Sequence, residues 1–378
     1  MKMLRRLKPI IKKEFRQVFR DLRTLVVLVF MPIFLLILFG YALNFDVRHI
    51  KMAAYDEDKS AASREFISSF FHSEYFDLKY YLTSKSQVNE LLDEGKVSMV
   101  LLVPHDFSRK ILRGEKASVQ LLIDGSNANQ AATVVGYATG MVQSYSLKVI
   151  TEVLMRRGAS NFALPVDFRP RIWYNPELQS ARFLIPGLIA FILMLSCVIS
   201  TSLSVVREKE RGTMEQLIVS PVKPLELILG KTIPYMLISL VTAYLILLIG
   251  WLLFDISVKG SQLQLFIITI LYLFVALGVG LFISAIANTQ QLAFQLSLLL
   301  TMLPTMLLSG FVFPIKNMPA AIQIFTYIIP ARYFLVALRS IILKGVGWSA
   351  FWPELLYLLI FGVLLVALSW SRMRKKRL

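Results

Sequence analysis

Long uncharged runs divide the chain. Leu25 to Leu43 holds 19 residues without a charged side chain, Phe183 to Val206 holds 24, and Thr232 to Phe254 holds 23. Gly260 to Ile315 is uncharged for 56 residues, enough for two helices. The polar tetrad Asn288-Thr289-Gln290-Gln291 divides it into 265–287 and 292–313. Leu355 to Ser371 closes the series, with Trp352 and Trp370 at its ends as interfacial anchors. A helix of roughly 17–25 apolar residues crosses a bilayer. The pattern therefore predicts six transmembrane helices, at 24–43, 183–206, 232–254, 265–287, 292–313 and 352–371.

Upstream of the first run, Leu4, Leu7, Ile11, Phe15, Val18 and Leu22 recur at steps of three and four, with Arg5, Arg6, Lys12, Lys13, Arg16 and Arg20 between them. That spacing predicts an amphipathic helix in residues 1–23, lying in the membrane interface with its basic groups toward lipid phosphates. Pro9 predicts a break in it, or the start of its main part. A cleaved secretory leader would need an apolar core of about 7–15 residues and a small-x-small site. The 19-residue run ending Tyr41-Ala42-Leu43-Asn44 reads instead as a retained span.

Segment 44–182 has a different texture. Strand-like runs (50–55, 76–82, 97–103, 119–123) alternate with helical spacing (61–71, 87–92, 107–112, 131–157), punctuated by Gly95, Pro104, Gly114 and Asp124-Gly125. Alternating strands and helices predict a small α/β domain inserted between the first two spans.

Composition agrees with a bilayer. Of 378 residues, 56% are hydrophobic and 17% charged, and the mean hydropathy is +0.63. Soluble domains carry about 45–50% apolar and roughly 25% charged residues, so a disordered chain and a plain cytosolic enzyme are excluded. The single cysteine, Cys197, permits no intrachain disulfide. The net charge of +17 gathers at the chain ends. Residues 1–23 hold nine basic and two acidic side chains, the tail 372–378 adds five basic ones, and 44–182 is balanced at 17 against 16. This is the positive-inside pattern of a membrane protein, not a nucleic-acid footprint. It predicts cytoplasmic termini, a cytoplasmic loop 207–231, and external segments 44–182 and 314–351. Glycosylation sequons are absent, in keeping with a prokaryotic origin.

Candidate chemistry is sparse. Gly230-Lys231-Thr232 resembles the end of a phosphate-binding loop, but position 225 is leucine where that loop needs glycine, and Pro224 removes a backbone donor. ATP is therefore not bound there. The uncharged runs at the heart of these spans, Leu355 to Ser371 in the last, contain no Asp, Glu, Lys, Arg or His, which argues against ion-coupled transport. The histidines His49, His72 and His105 have no ligand-spaced partners, so no metal site is expected. Neutral polar residues remain. Ser200, Gln295, Thr301 and Thr305, with Pro304 loosening the backbone, are candidate passage-lining residues; helix–helix hydrogen bonding is the other reading. Arg207 to Pro221 reads as a short charged helix capped by Thr213, a rigid handle for a cytoplasmic partner. Residues 314–351 hold apolar runs too short to span, punctuated by Pro319 and Pro330, which predicts a pair of half-helices at the outer face.

Glu210-Arg211-Gly212-Thr213, followed by Glu215, Leu217 and Ser220-Pro221, resembles the coupling-helix signature of type-2 ABC exporter permeases. Gly230-Lys231 and Pro234 are similar to the start of that family's next span. Lys13-Glu14 with Arg20-Asp21 resembles its interface helix, and Asn175-Pro176 with Pro186-Gly187 its approach to the second span. Pro330, Arg332, Tyr333, Phe334 and Arg339 resemble its outer re-entrant region. The resemblance implies a polytopic α-helical permease that pairs with a second permease chain, as homodimer or heterodimer. It implies separate ABC ATPase subunits that carry the ATP and Mg, with residues 210–213, 215, 217 and 220–221 meeting them. The large insert resembles the drug-export branch, often found alongside a periplasmic adaptor. The competing readings are a membrane receptor with an external ligand-binding domain and a membrane-embedded enzyme. The first lacks a signalling domain and the second lacks paired acids, a nucleophile or metal ligands at membrane depth.

Overall fold

The computed structural model describes residues 2–42, 49–73, 75–156, 173–175, 179–212 and 224–375. The chain divides into two compact units, residues 1–44 with 172–378, and residues 45–171.

The first unit is helical. Helix α1 (Lys2–Arg20) runs unbroken through Pro9, so the predicted break does not occur. Tertiary packing offsets the lost N–H: the neighbouring Ile10 is seated so closely on Gly230 that a Cβ there would lie 2.6 Å from Ile10 Cγ2. The apolar stripe of α1 also meets protein, with Leu7 and Val18 buried. The first apolar run starts as α2 (Leu22–Leu25), widens into a π-helical turn at Val26–Phe30, and continues as α3 (Met31–Ala42). A π turn misaligns the backbone ladder, and the Leu28 carbonyl inside it accepts a 3.1 Å hydrogen bond from Thr242 Oγ1.

Among the described residues, five helices hold a stretch long and apolar enough to cross a membrane: α8 (Ser180–Glu210), α9 (Pro224–Phe254), α10 (Gln262–Ile286), α11 (Gln290–Leu308) and α14 (Trp352–Lys375). Val26–Ala42 is apolar but shorter. Helices α12 (Ala320–Thr326) and α13 (Pro330–Arg339), the latter prolonged to Lys344 by a π turn, meet at an 87° bend. They occupy the region where the sequence predicts two half-helices.

Helix α8 is the axis of this unit, buried along most of its length. Small residues let its neighbours approach, as expected where helices pack by van der Waals contact in lipid. On α10, a Cβ at Gly280 would lie 2.8 Å from Thr201 Cβ and 3.0 Å from the Val198 carbonyl oxygen. On α14, a Cβ at Gly362 would lie 2.4 Å from the Phe274 ring. The fully buried Tyr272 of α10 stacks on Phe334 of α13 with centroids 3.9 Å apart, and its hydroxyl donates to the Ala190 carbonyl at 2.8 Å.

The second unit is the inserted α/β domain. Its strands β1 (Ile50–Asp56), β2 (Phe76–Leu82), β3 (Met99–Val103) and β4 (Gln120–Ile123) lie in the order β2-β1-β3-β4. β1 is parallel to β2 and β3, and β4 is antiparallel to β3. The crossover from β1 to β2 and the crossover from β2 past β1 to β3 run in opposite directions along the sheet, and right-handed crossovers then put their helices on opposite faces. Accordingly α4 (Ala61–Phe71), α6 (Phe107–Arg113) and α7 (Ala128–Arg156) cover one face around Phe66, Phe70 and Phe107. α5 (Ser86–Asp93) covers the other around Val88, Val100 and Leu102. β3 is buried throughout, as a strand covered on both faces must be. A capping box between Ser60 and Ser63 starts α4.

Gly280→Val puts methyl groups against the Val198 backbone oxygen, which cannot move aside. It is expected to lower the unfolding temperature of the purified chain, measured by intrinsic fluorescence in detergent. Gly136→Ala, whose Cβ would meet nothing within 4 Å, is expected to leave it unchanged or raise it, since alanine favours a helix by about 0.5–1 kcal/mol over glycine.

Candidate functional site

A buried cluster of acidic and basic groups forms at one end of the bundle, where α1 lies across the last turn of α8 and the first turns of α9. Glu14, Glu208 and Lys231 are all buried there. Lys231 Nζ lies 3.1 Å from Glu14 Oε1 and 3.3 Å from Glu208 Oε1. Lys13, half-exposed at the rim, lies 3.0 Å from the same Glu208 oxygen and 3.9 Å from Glu14. Two carboxylates and two ammonium groups thus cancel. Matching is obligatory here, because a buried charge without its partner is strongly destabilising. Glu14 Oε2 is buried without a hydrogen-bond partner, so this cluster already works near its limit of satisfaction.

The residues in the last turn of α8 reach out to several neighbouring helices. Arg207 Nη1 lies 2.9 Å from Asp21 Oδ2, at the junction of α1 and α2, and Arg207 Nε lies 3.4 Å from Gln290 Oε1. Glu208 binds α1 and α9 as above. Lys209 Nζ donates to the carbonyls of Ser284 and Ala287 at the C-terminal end of α10. Glu210 accepts from the Gln290 backbone N–H at 2.6 Å and from its side-chain amide, at the N-terminus of α11. A cation on a helix C-terminus and a carboxylate on a helix N-terminus both complement the helix dipole. One turn therefore fastens α8 to α1, α2, α9, α10 and α11.

Asp21 caps α2. Its carboxylate accepts from Thr24 Oγ1 at 2.7 Å, and this bond, followed by Arg207, holds its pKa below the ordinary 3.8. The contribution of a depressed carboxylate is complete above its ordinary pKa and is lost as pH falls through the depressed value.

The opposite end of the bundle is fastened differently. Arg339 Nη1 and Nη2 donate to the carbonyls of Gly310 and Phe183, each at 3.0 Å, and the guanidinium sits 3.9 Å above the Phe183 ring. Gly310 follows α11 in the left-handed region (φ 83°), a conformation glycine takes freely. The bend between α12 and α13 is braced by Arg332, which bonds Thr326 and lies over the Tyr327 ring, and by Tyr333, whose hydroxyl donates to the Tyr327 carbonyl at 2.7 Å. Pro330 starts α13.

The structure brings together Lys13, Glu14, Asp21 and Glu210, while Arg20, Arg211 and Gly212 are exposed nearby. Thr213, Glu215, Leu217, Ser220 and Pro221 lie outside the described residues. Of the passage candidates, Thr301 and Thr305 are buried on the face of α11 that carries Ala293 and Ser297, and Ser297 Oγ meets Ser202 Oγ of α8 at 2.9 Å. Gln295 is exposed, Pro304 half-buried, and the buried Ser200 hydroxyl has no hydrogen-bond partner. The sequence had not marked Arg207, Glu208, Lys231 and Gln290 as one cluster. The signal that could have found Lys231 is a lone cation heading an apolar helix directly after a glycine. Among the described residues no group of His, Cys, Asp and Glu side chains could hold a metal ion.

Apolar helices of spanning length, with charge paired at one end and an α/β insert in the chain, define a multi-pass membrane protein. The sequence pattern of the ABC-2 family transporter proteins matches residues 22–371, and the chain belongs to that family. It is 34% identical over 373 residues to the probable multidrug ABC transporter permease YbhS of Escherichia coli (strain K12), covering 98% of this chain and 97% of that one. It is 33% identical over 374 residues to the probable multidrug ABC transporter permease YbhR of the same strain, covering 99% and 100%. ABC transporter G family member 20 of Dictyostelium discoideum is 26% identical over 368 residues, which span 48% of that longer protein. The chain is thus a membrane permease of the ABC-2 type.

Lys231→Met leaves two buried carboxylates to share the single rim cation Lys13 and is expected to destabilise the packing of α1 by about 3–5 kcal/mol, seen as faster hydrogen exchange at the α1 amides. Adding Glu14→Gln and Glu208→Gln should restore part of that protection. Acidification through the carboxylate range should loosen the α1–α2 junction in the native chain, and Asp21→Asn should remove this component of the pH dependence.

Proposed function

We propose that this chain is the membrane-spanning permease subunit of an ATP-driven exporter. In this reading it forms the substrate passage with a second permease chain and takes its energy from separate ATPase subunits, which hold the ATP and Mg. The observation that carries the reading is the last turn of α8. Arg207, Glu208, Lys209 and Glu210 tie five helices to one turn, and the chain then enters the segment whose signature resembles a coupling helix. A push on that turn would be felt by most of the bundle.

The surface beside it suits an acidic partner. A cleft of about 590 Å³ is bordered by Lys13, Arg20, Arg207 and Arg211, with Asp21 and Glu208 as its acids. Two cations are left over for carboxylates on an ATPase. On this reading the end of the bundle fastened by the last turn of α8 and the Lys231 cluster, the latch end, faces the cytoplasm of a bacterial inner membrane, both termini lie there, and the α/β domain lies outside, where a periplasmic adaptor could meet it. The Arg339 fastening, which joins the N-terminal end of α8, the C-terminal end of α11 and α13, would then close the outer end of the passage. The proposed cargo is drugs or hydrophobic compounds, and the names of two relatives, probable multidrug permeases, support the drug part of that reading.

The test is reconstitution. The purified chain alone is expected to hydrolyse no ATP. With an ATPase subunit recovered from the same membranes, it should drive ATP-dependent efflux of a hydrophobic dye from vesicles, and deleting residues 213–221 should abolish both capture of the ATPase and efflux. ATP hydrolysis by the isolated chain, or full coupling after the deletion, would overturn the reading. Arg339→Ala is expected to reduce efflux per ATP hydrolysed while leaving ATPase capture intact.

A further inference from the structure

At the latch end the bundle leaves a half-enclosed cavity of about 230 Å³ between the start of the first apolar run, α8 and α9. Its wall is unusual for a bundle of apolar helices. Thr24, Ser200, Ser204 and Tyr235 bring hydroxyl groups from three separate elements, while Val27 and Leu203 supply an apolar side. Ser200, Ser204 and Tyr235 are buried, and Ser200 Oγ has no hydrogen-bond partner. A buried hydroxyl left unsatisfied costs about 1–3 kcal/mol, so an orphan in a polar-lined hollow marks a place where something else is to be bound.

The charge at the mouth narrows what that is. Arg207 and Gln290 also border the cavity. The Arg207 guanidinium is already matched by Asp21 at 2.9 Å, and Gln290 is held by Glu210. No net charge is left facing the hollow from these groups, so neither an anionic nor a cationic head gains from entering it. Its volume equals that of about eight waters at roughly 30 Å³ each, room for one sugar-sized or small amide head but not for a large drug.

We propose that this cavity is a binding site for an uncharged head group rich in hydroxyl or amide groups and carried on an apolar tail, with Ser200, Ser204, Thr24 and Tyr235 as hydrogen-bonding partners and Val27 and Leu203 against the start of the tail. The occupant is cargo on the way to the passage or a neutral glycolipid of the inner leaflet. Naming it as cargo rests on the permease reading; the binding itself does not.

The test needs neither ATPase nor transport. In full-length Cys197→Ser protein in nanodiscs, Ser200→Cys places a thiol in the cavity, and its modification by N-ethylmaleimide is timed. Octyl glucoside below its micellar concentration should slow modification, by about tenfold at ten times its Kd, since protection scales as 1 + [L]/Kd. Octyl sulfate and octyltrimethylammonium at equal concentration should protect far less. Leu203→Trp, which fills the hollow, should abolish the glucoside effect, and a thiol at the exposed Leu299 should show none. Thr24→Cys is a second reporter from another helix, usable if Ser200→Cys or Leu203→Trp misfolds. Protection by a diacyl glucosyl lipid in the nanodisc, without added glucoside, would name the lipid as the occupant and uphold the site. Equal modification with and without every probe at both reporters, or stronger protection by a charged head, would overturn it. Failure of ATP-driven efflux would leave this result standing.

Discussion

A bilayer tolerates a charged group only when it is matched or at the edge, and that constraint organises the helical unit. Its apolar runs carry no Asp, Glu, Lys, Arg or His through their length, so the charges that hold the bundle in register are displaced to its ends. At one end Lys231 sits between Glu14 and Glu208, with Lys13 closing the balance. These four groups come from α1, α8 and α9. None could be buried alone, and the burial of each depends on the docking of the other helices. Packing and charge therefore reinforce each other. Gly230 lets Ile10 come close enough to bring Glu14 and Lys231 together, and the ion cluster keeps α1 on that seat.

The two ends of the bundle solve the problem of attachment with different chemistry. The latch end uses opposite charges and helix dipoles, which hold firmly and can be rearranged by another charged surface. The other end uses one guanidinium on two backbone carbonyls and an aromatic face, around Arg339, Gly310 and Phe183. Carbonyls are weaker partners than carboxylates, so this fastening is the softer of the two. On the proposed reading of a permease driven from one side, the rigid joint would sit where force is applied and the yielding joint where the passage would open.

Between the ends, α8 and α11 meet through small and hydroxylated residues. Ser297, Thr301 and Ser309 bond back to carbonyls one turn earlier on their own helix, and Ser202 reaches Ser297 across the interface. Small residues let the two backbones approach closely, and the Ser202–Ser297 bond ties them across the interface. The hydroxyl-lined hollow near Ser200 belongs to the same vocabulary of neutral polar groups, set where α8 passes from lipid depth to the charged end.

The amino-acid order alone determined the membrane class and the alternation of the inserted domain. Both rest on local rules: run length against bilayer thickness, and period against secondary structure. The strands and helices from Ile50 to Ile123 were legible because Gly95, Pro104 and Gly114 punctuate them sharply. The π turn at Val26–Phe30 and the uninterrupted course of α1 through Pro9 were not, since each depends on a distant partner, Thr242 in one case and Gly230 in the other. The latch was invisible for the same reason. Glu14, Glu208 and Lys231 are separated by 194 and 23 positions, and no local pattern says that three charges so far apart will share one buried site. Only the tertiary structure could decide that, because the free energy of burying a charge is set by what stands beside it in space.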